Sequence, residues 1–111
     1  MSDGAQVRAE AARAIASVRF DGRSLKAALP AARDALADPR DRALCEAIAF
    51  AALRYLPRYE FWLARLLQKP LNKSAQKIHA LLLAGLAQLH ALELADYAAI
   101  SASVDAARTL G

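Results

Sequence analysis

A chain of 111 residues with a net charge of +4 is the size of one domain, and its 57 % apolar content, much of it alanine, favours close-packed helices over sheet. A single cysteine, Cys45, excludes an intramolecular disulfide and fits a reducing compartment. The N-terminus lacks the apolar core of a signal peptide, and no apolar run is long enough to span a bilayer. We therefore expect a cytoplasmic protein with no membrane contact.

Apolar periodicity predicts a first helix over about residues 5–19, which ends at the turn-forming pair Asp21-Gly22. Ser24 is a typical N-cap for a short second helix. Pro30 predicts a break or kink in that helix, followed by another helical turn around residues 31–37.

Asp38-Pro39, a capping residue followed by proline, predicts a third helix that runs to about residue 56. Pro57 restarts the chain as a short fourth helix, and residues 69–73 form a basic linker. Ser74 is expected to cap the longest helix, over about residues 75–93. Asp96 is expected to cap the last helix, over residues 97–110.

The helix over residues 75–93 is apolar on most sides, which predicts a central position in the fold. Leu83 lies outside its broad stripe, whose members are Ile78, Leu81, Leu82, Gly85, Leu86, Leu89 and Leu92. Gly85 costs about 1 kcal/mol relative to alanine inside a helix. Close packing of a crossing helix is the first explanation for it, and contact with a ligand is the alternative.

The residue types that carry catalysis are scattered. His79 and His90 lie on one predicted helix about 16 Å apart, too far to share a metal ion. Glu46 and Glu60 are expected to pair with nearby arginines or to meet solvent, and Cys45 is expected to be a buried thiol. The sequence therefore predicts neither a catalytic centre nor a cofactor or metal site in this chain.

Positive charge is concentrated in residues 42–80, which contain seven basic and two acidic residues. Most of the excess lies between Pro57 and Lys77, a segment that includes Arg58. Lysines recur there at intervals of four, at Lys69, Lys73 and Lys77, and such a cluster suits contacts with phosphates. A solvated basic face without a partner is the alternative interpretation.

Seven segments together resemble a known family. They are R-A-E-A-A-R-A-I from Arg8, G-R-S-L-K-A-A-L-P from Gly22, D-R-A-L-C-E-A-I-A-F-A-A-L-R from Asp41, the Trp62 helix, K-P-L from Lys69, G-L-A-Q-L from Gly85 and Y-A-A-I-S-A-S-V-D-A-A-R from Tyr97. In this order and spacing they resemble the N-terminal NusB-like domain of the RsmB (Sun, Fmu) family of small-subunit rRNA 5-methylcytosine methyltransferases.

The resemblance implies an all-α, NusB-like bundle of about six helices around a long central helix, with residues 1–111 forming one RNA-binding domain. It implies that this chain is not itself an enzyme, because such proteins bind S-adenosylmethionine and catalyse methyl transfer in a separate C-terminal domain. Carried over by position, Arg8 and Arg13 match the basic side of the first helix. Arg54 matches the arginine of a G-x-L-R stretch whose glycine is alanine here.

The partners that the resemblance implies are rRNA and the methyltransferase domain. The family's last helix would follow Gly111, so we expect a truncated domain with an uncovered stripe on the helix over residues 97–110, through which a homodimer could form. Two alternatives stay open: a NusB-type transcription antitermination factor, and a protein-interaction or dimerisation module.

Overall fold

Five α-helices and one 3-10 turn make up most of the computed structural model, which describes residues 3–67, 69, 71–93 and 106. These are α1 (Asp3–Asp21), α2 (Leu25–Ala35), α3 (Pro39–Arg54), α4 (Leu56–Leu66), the 3-10 turn Lys73–Ala75 and α5 (Gln76–His90). The described residues contain no strand, which confirms the all-α class. None of the helices described is both long and apolar enough to cross a membrane.

Helix α1 lies at the centre of the fold and packs against α2, α3 and α5. Its 19 residues make it the longest helix described, whereas α5 has 15. The prediction that the helix around residues 75–93 is the longest is therefore wrong, although α5, like α1, packs against three helices, α1, α3 and α4. Ala5, Ala9, Ala11, Ala12 and Ala14 are all buried and let three helices approach α1 closely.

The turn before α2 follows the sequence prediction. Gly22 has a φ of 73°, a conformation that glycine adopts without strain, and Ser24 Oγ accepts a hydrogen bond of 3.1 Å from the Ala27 amide. The expected break at Pro30 does not occur, since α2 continues through it to Ala35. Pro30 lies on the exposed side of the helix, where water can reach the carbonyl that loses its donor.

The chain bends at Tyr55 between α3 and α4, close to the predicted restart. Asp38 caps α3 through a 2.8 Å hydrogen bond from the Arg40 amide, and Pro39 occupies its first turn, as expected. Helix α4 begins at Leu56 with Pro57 in its first turn. The charged side chains of α4 therefore follow closely along the chain after Arg54, the last residue of α3.

Helix α5 begins without the predicted cap. Ser74 Oγ donates to Asn72 Oδ1 at 2.6 Å, and Ala75 holds the N-cap position without a side-chain hydrogen bond. The predicted stripe is also turned away from the core in part, since Ile78, Leu82 and Leu89 are exposed. The inward face is Ala80, Leu81, Leu83, Ala84, Ala87 and Gln88.

A Cβ atom built on Gly85 would meet no heavy atom of the described residues within 4 Å, so no helix among those residues crosses closely at this glycine. The predicted last helix, with its cap at Asp96 and its stripe of Ile100, Val104 and Ala107, lies outside the described residues. Ala106 is the exception, and it is helical and buried.

Candidate nucleic-acid interface

The joint between α3 and α4 brings two predicted site residues together. The Cζ atoms of Arg54 and Arg58 lie 5.5 and 5.6 Å from the centroid of the Tyr55 ring, within the range of a cation–π contact. Both arginines are exposed, and Tyr55 is partly exposed. The joint therefore presents two cations beside one aromatic ring to solvent.

A cluster of rings around His90 holds Tyr55 in place. The His90 ring lies edge-on to Tyr55, Tyr59 and Trp62, with centroids 5.1 to 5.5 Å away. Arg58 Nη1 lies 3.4 Å from His90 Nε2 and only donates, so Nε2 accepts and Nδ1 donates to the Tyr59 hydroxyl at 2.8 Å. Burial raises the pKa of Tyr59, which keeps this hydroxyl protonated. His90 is thus a partly buried residue with both ring nitrogens hydrogen-bonded.

The three predicted lysines line the approach to α5. Lys69 follows α4, Lys73 opens the 3-10 turn and Lys77 lies in the first turn of α5. All three are exposed, and none forms an ion pair with a carboxylate of the described residues. The positive end of the α5 dipole lies at the same corner and adds to the positive potential of the lysines.

The one acidic residue of α4 is already neutralised. Glu60 Oε2 accepts a hydrogen bond of 2.7 Å from Arg19 Nε, and Glu60 Oε1 accepts another from His79 Nε2. Burial alone would raise the pKa of Glu60, but the hydrogen bonds from His79 and Arg19 outweigh it and lower the pKa. Glu60 therefore leaves the cations of α4 without a competing acid.

Arg8 and Arg13, the two residues of α1 in the predicted set, lie elsewhere. Arg8 is only 7 % exposed, donates to Gln88 Oε1 at 2.8 Å, and has its pKa lowered by burial. Arg13 pairs with Glu10 and lines a shallow cleft between α1 and α2, together with Arg23. The structure thus brings together Arg54 and Arg58, places Lys69, Lys73 and Lys77 after α4, and separates Arg8 and Arg13 from both groups.

Two side chains of α4 that the sequence analysis did not select belong to the same surface. Phe61 is 56 % exposed, and the Cζ atom of Arg65 lies 4.7 Å from its ring centroid. The available signal was spacing, because residues three and four apart share a face of a helix and Arg58, Phe61 and Arg65 follow that rule.

Cys45 and Glu46 have the settings that the sequence predicts, a buried thiol and a paired carboxylate. Cys45 is buried, and burial raises the pKa of its thiol to about 11. Glu46 pairs with Arg33, as expected of it. Among the described residues no three His, Cys, Asp or Glu side chains could hold a metal ion. A groove of about 350 Å³ beside Glu60 and His79 is otherwise lined by Arg19 and four apolar residues, Leu63, Ala64, Leu67 and Leu71.

Comparison with known proteins agrees with this architecture. Over 111 residues the chain is 52 % identical to a "Ribosomal RNA small subunit methyltransferase B" from Xylella fastidiosa (strain Temecula1), covering 100 % of this chain and 26 % of that protein. Proteins of the same name from Xanthomonas campestris pv. campestris and Vibrio vulnificus are 51 % and 41 % identical, over 97 % and 94 % of this chain and 25 % and 24 % of theirs.

The chain therefore spans about a quarter of the length of the curated relatives it matches, in their N-terminal part. Residues 5–111 match the NusB family. The match extends over all five α-helices, apart from the first two residues of α1, and through to the last residue. The chain belongs to the NusB family.

Proposed function

We propose that this chain is a non-catalytic RNA-binding domain, the N-terminal part of an S-adenosylmethionine-dependent rRNA (cytosine-5-)-methyltransferase of the cytoplasm. The names of the relatives and the quarter of their length that the chain covers support this assignment. In this proposal methyl transfer belongs to the part of such proteins that the chain does not cover. The domain binds rRNA and orients it toward that part.

The observation that carries the proposal is the charge of residues 54–77. This segment contains six basic residues and one acidic residue, Glu60, whose carboxylate is held by Arg19 and His79. Because RNA is a polyanion, exposed and uncompensated cations bind it through its phosphates and release counterions. Such contacts position a nucleic acid and carry little sequence information, which is the task expected of an accessory domain.

The first experiment measures binding of small-subunit rRNA fragments to the 111-residue chain across a series of salt concentrations. The variant Lys69→Gln/Lys73→Gln/Lys77→Gln removes three charges from the proposed surface. A matched control, Arg23→Gln/Lys26→Gln/Arg40→Gln, removes three exposed charges from α2, its approach and the start of α3. Helix α2 contacts neither α4 nor α5, so the control leaves the proposed surface intact.

We expect the lysine variant to bind more weakly and to lower the slope of log K against log salt by about 2, since each lost contact with single-stranded RNA removes about 0.7. The control variant should change the slope by less than half as much. Equal effects of the two variants would show that only net charge matters. Unchanged affinity and slope in the lysine variant would remove this surface from the proposal.

A second candidate role is protein interaction, and one observation favours it. Ile78, Leu82 and Leu89 expose an apolar stripe on α5, and Leu66 on α4 is 71 % exposed. Such a surface suits contact with the remaining part of a longer protein, with a second copy of the chain, or with a protein of the kind that NusB-type factors bind. Sedimentation at several concentrations separates self-association from a monomer that binds RNA. The homodimer proposed for the last helix concerns residues outside those described.

A further inference from the structure

We propose that the exposed face of α4 binds unpaired RNA. In this site a nucleobase stacks on the Phe61 ring, a second base meets Tyr55, and the guanidinium groups of Arg54, Arg58 and Arg65 hold the adjoining phosphates. The inference rests on the RNA binding proposed above and adds the class of RNA, which is single-stranded rather than duplex.

The position of Phe61 is the first argument. A phenylalanine that is 56 % exposed leaves much of its apolar surface in water, although Tyr59 and Leu63 on the same helix are buried. Arg58 and Arg65 lie three residues before and four residues after Phe61, so all three side chains project from one face of α4. The Arg65 guanidinium lies 4.7 Å from the ring centroid and leaves the ring accessible to a base.

Tyr55 supplies the second ring, and its setting is rigid. Its neighbours His90 and Tyr59 are joined by a hydrogen bond of 2.8 Å, and His90 lies at 88° to the Tyr55 ring. The guanidinium groups of Arg54 and Arg58 lie 5.5 and 5.6 Å from the ring centroid, and both side chains are exposed. A ring fixed in this way loses little side-chain entropy on binding, which favours stacking.

Charge decides between RNA and a protein partner for this face. Residues 47–92 contain one acidic residue, Glu60, which is bound by Arg19 and His79, and no carboxylate of the described residues forms an ion pair with the three arginines. A partner on such a face has to be strongly anionic. Aromatic rings interleaved with arginines are typical of surfaces that bind single-stranded RNA, because unpaired bases stack on the rings while the arginines hold the backbone.

The two kinds of RNA differ in what they can use here. The bases of a duplex are already stacked on one another, so a duplex gains only phosphate contacts from this face. An exposed aromatic ring gives additional binding only when a base is free to stack on it. The rings therefore predict a preference for unpaired RNA, whereas the lysines after α4 alone would predict none.

The test compares a short unstructured RNA with a duplex of the same length, each labelled and titrated with the 111-residue chain. Phe61→Ala and Phe61→Leu remove the aromatic ring, and Phe61→Tyr keeps it. Leu66→Ala is the matched control, because Leu66 is a still more exposed apolar residue of the same helix, at 71 %. Thermal unfolding of each variant checks that the exposed substitution leaves the fold intact.

We expect Phe61→Ala and Phe61→Leu to weaken binding of the unpaired RNA about tenfold and to leave duplex binding within about twofold. Phe61→Tyr and Leu66→Ala should bind the unpaired RNA as the unchanged chain does. If Phe61→Leu binds unpaired RNA normally, or weakens both RNAs equally, the inference is wrong while the proposed RNA binding stands.

Two further outcomes are decisive. If the unchanged chain binds neither RNA, the proposed function fails and this inference fails with it. If Phe61→Ala abolishes self-association in sedimentation while RNA affinity is unchanged, the face is a protein contact, which also overturns the inference.

Discussion

Arg8 Nε donates a hydrogen bond of 2.8 Å to Gln88 Oε1, joining the interior faces of α1 and α5 across 80 positions of sequence. Both side chains are buried, and the Gln88 amide also donates to the Ala84 carbonyl at 3.1 Å. A buried guanidinium is tolerated only when its donors are satisfied, because desolvation of the charge is costly. This pair therefore links two packed helices whose other buried residues are alanines and larger apolar side chains, among them Ile15 and Leu83.

Gln88→Leu should destabilise the fold by about 2 kcal/mol, because it removes the acceptor of the buried Arg8 Nε and leaves that guanidinium only the longer bond of 3.4 Å from Nη1 to the Gly4 carbonyl. The double variant Arg8→Met/Gln88→Leu should lose clearly less than the sum of the two single losses, since it removes the stranded charge as well. Urea unfolding followed by circular dichroism measures all three. Strictly additive losses would mean that the two side chains are not coupled.

Arg8→Met also separates structure from RNA binding. Because Arg8 is 7 % exposed, we expect its loss to lower stability and to leave the salt dependence of RNA binding unchanged. A lower salt slope in a folded Arg8→Met chain would restore this residue to the RNA-binding set that the sequence indicated.

Gly85→Ala should stabilise the chain by up to about 1 kcal/mol, because alanine is the better helix former and its Cβ meets no described atom within 4 Å. Thermal and urea unfolding measure the change. Gly22→Ala provides the contrast: no described atom obstructs that Cβ either, but the φ of 73° should make alanine cost about 1 kcal/mol. A destabilising Gly85→Ala would show that another part of the chain packs on this glycine.

The pH dependence of stability should contain a contribution from Glu60. Its pKa is lower in the folded chain than the ordinary 4.5, so its contribution to folding is present above pH 4.5 and is lost as the pH falls below that value. We expect Glu60→Gln to flatten the fall in urea midpoint over this range. Asp34→Asn, a change at an exposed carboxyl of α2, is the control. Parallel curves for the unchanged chain and Glu60→Gln would contradict this assignment.

Cys45 should be inert toward thiol reagents in the folded chain. Its side chain is 1 % exposed and its thiol pKa is raised to about 11, first by burial and then by Glu10 and Glu46, so little thiolate exists at neutral pH and the reagent has no access. Labelling with a disulfide reagent should therefore be slow without denaturant and rapid in urea. Rapid labelling of the native chain would indicate that α3 opens locally.

Local signals predicted the segments of this fold well. The Ser24 and Asp38 caps, the turn at Gly22 and the proline-led start of α4 all occur as expected, because a cap or a turn depends on a few neighbouring residues. Pro30 and Ser74 are the exceptions. Helix α2 continues through Pro30, and its buried residues Ala28, Leu29 and Ala32 lie on both sides of that proline. The Ser74 hydroxyl donates to Asn72 and therefore does not cap α5.

The candidate site was predictable only in part. The concentration of positive charge after residue 42 is a property of composition, and it includes Arg54, Arg58 and the three lysines, which are all exposed; their part in RNA binding stays a prediction. The exposure of Phe61 had one signal in the sequence, its spacing from Arg58 and Arg65, and that signal competes with the rule that a large apolar residue in an amphipathic helix normally faces the core. The neutralisation of Glu60 depends on Arg19 and His79, which come from two other helices.

The order of amino acids was sufficient for the helical class, most helix limits and the position of the excess charge, since each follows from neighbours in the chain or from composition. Only packing in three dimensions decided that α1 is the central helix, that α5 turns its alanines inward, and that Arg8 is buried while Arg54 meets solvent. The physical reason is that a side chain is buried only where two surfaces of the protein come into contact. An alanine face is buried only when another helix can approach it, and no single stretch of residues specifies its partner.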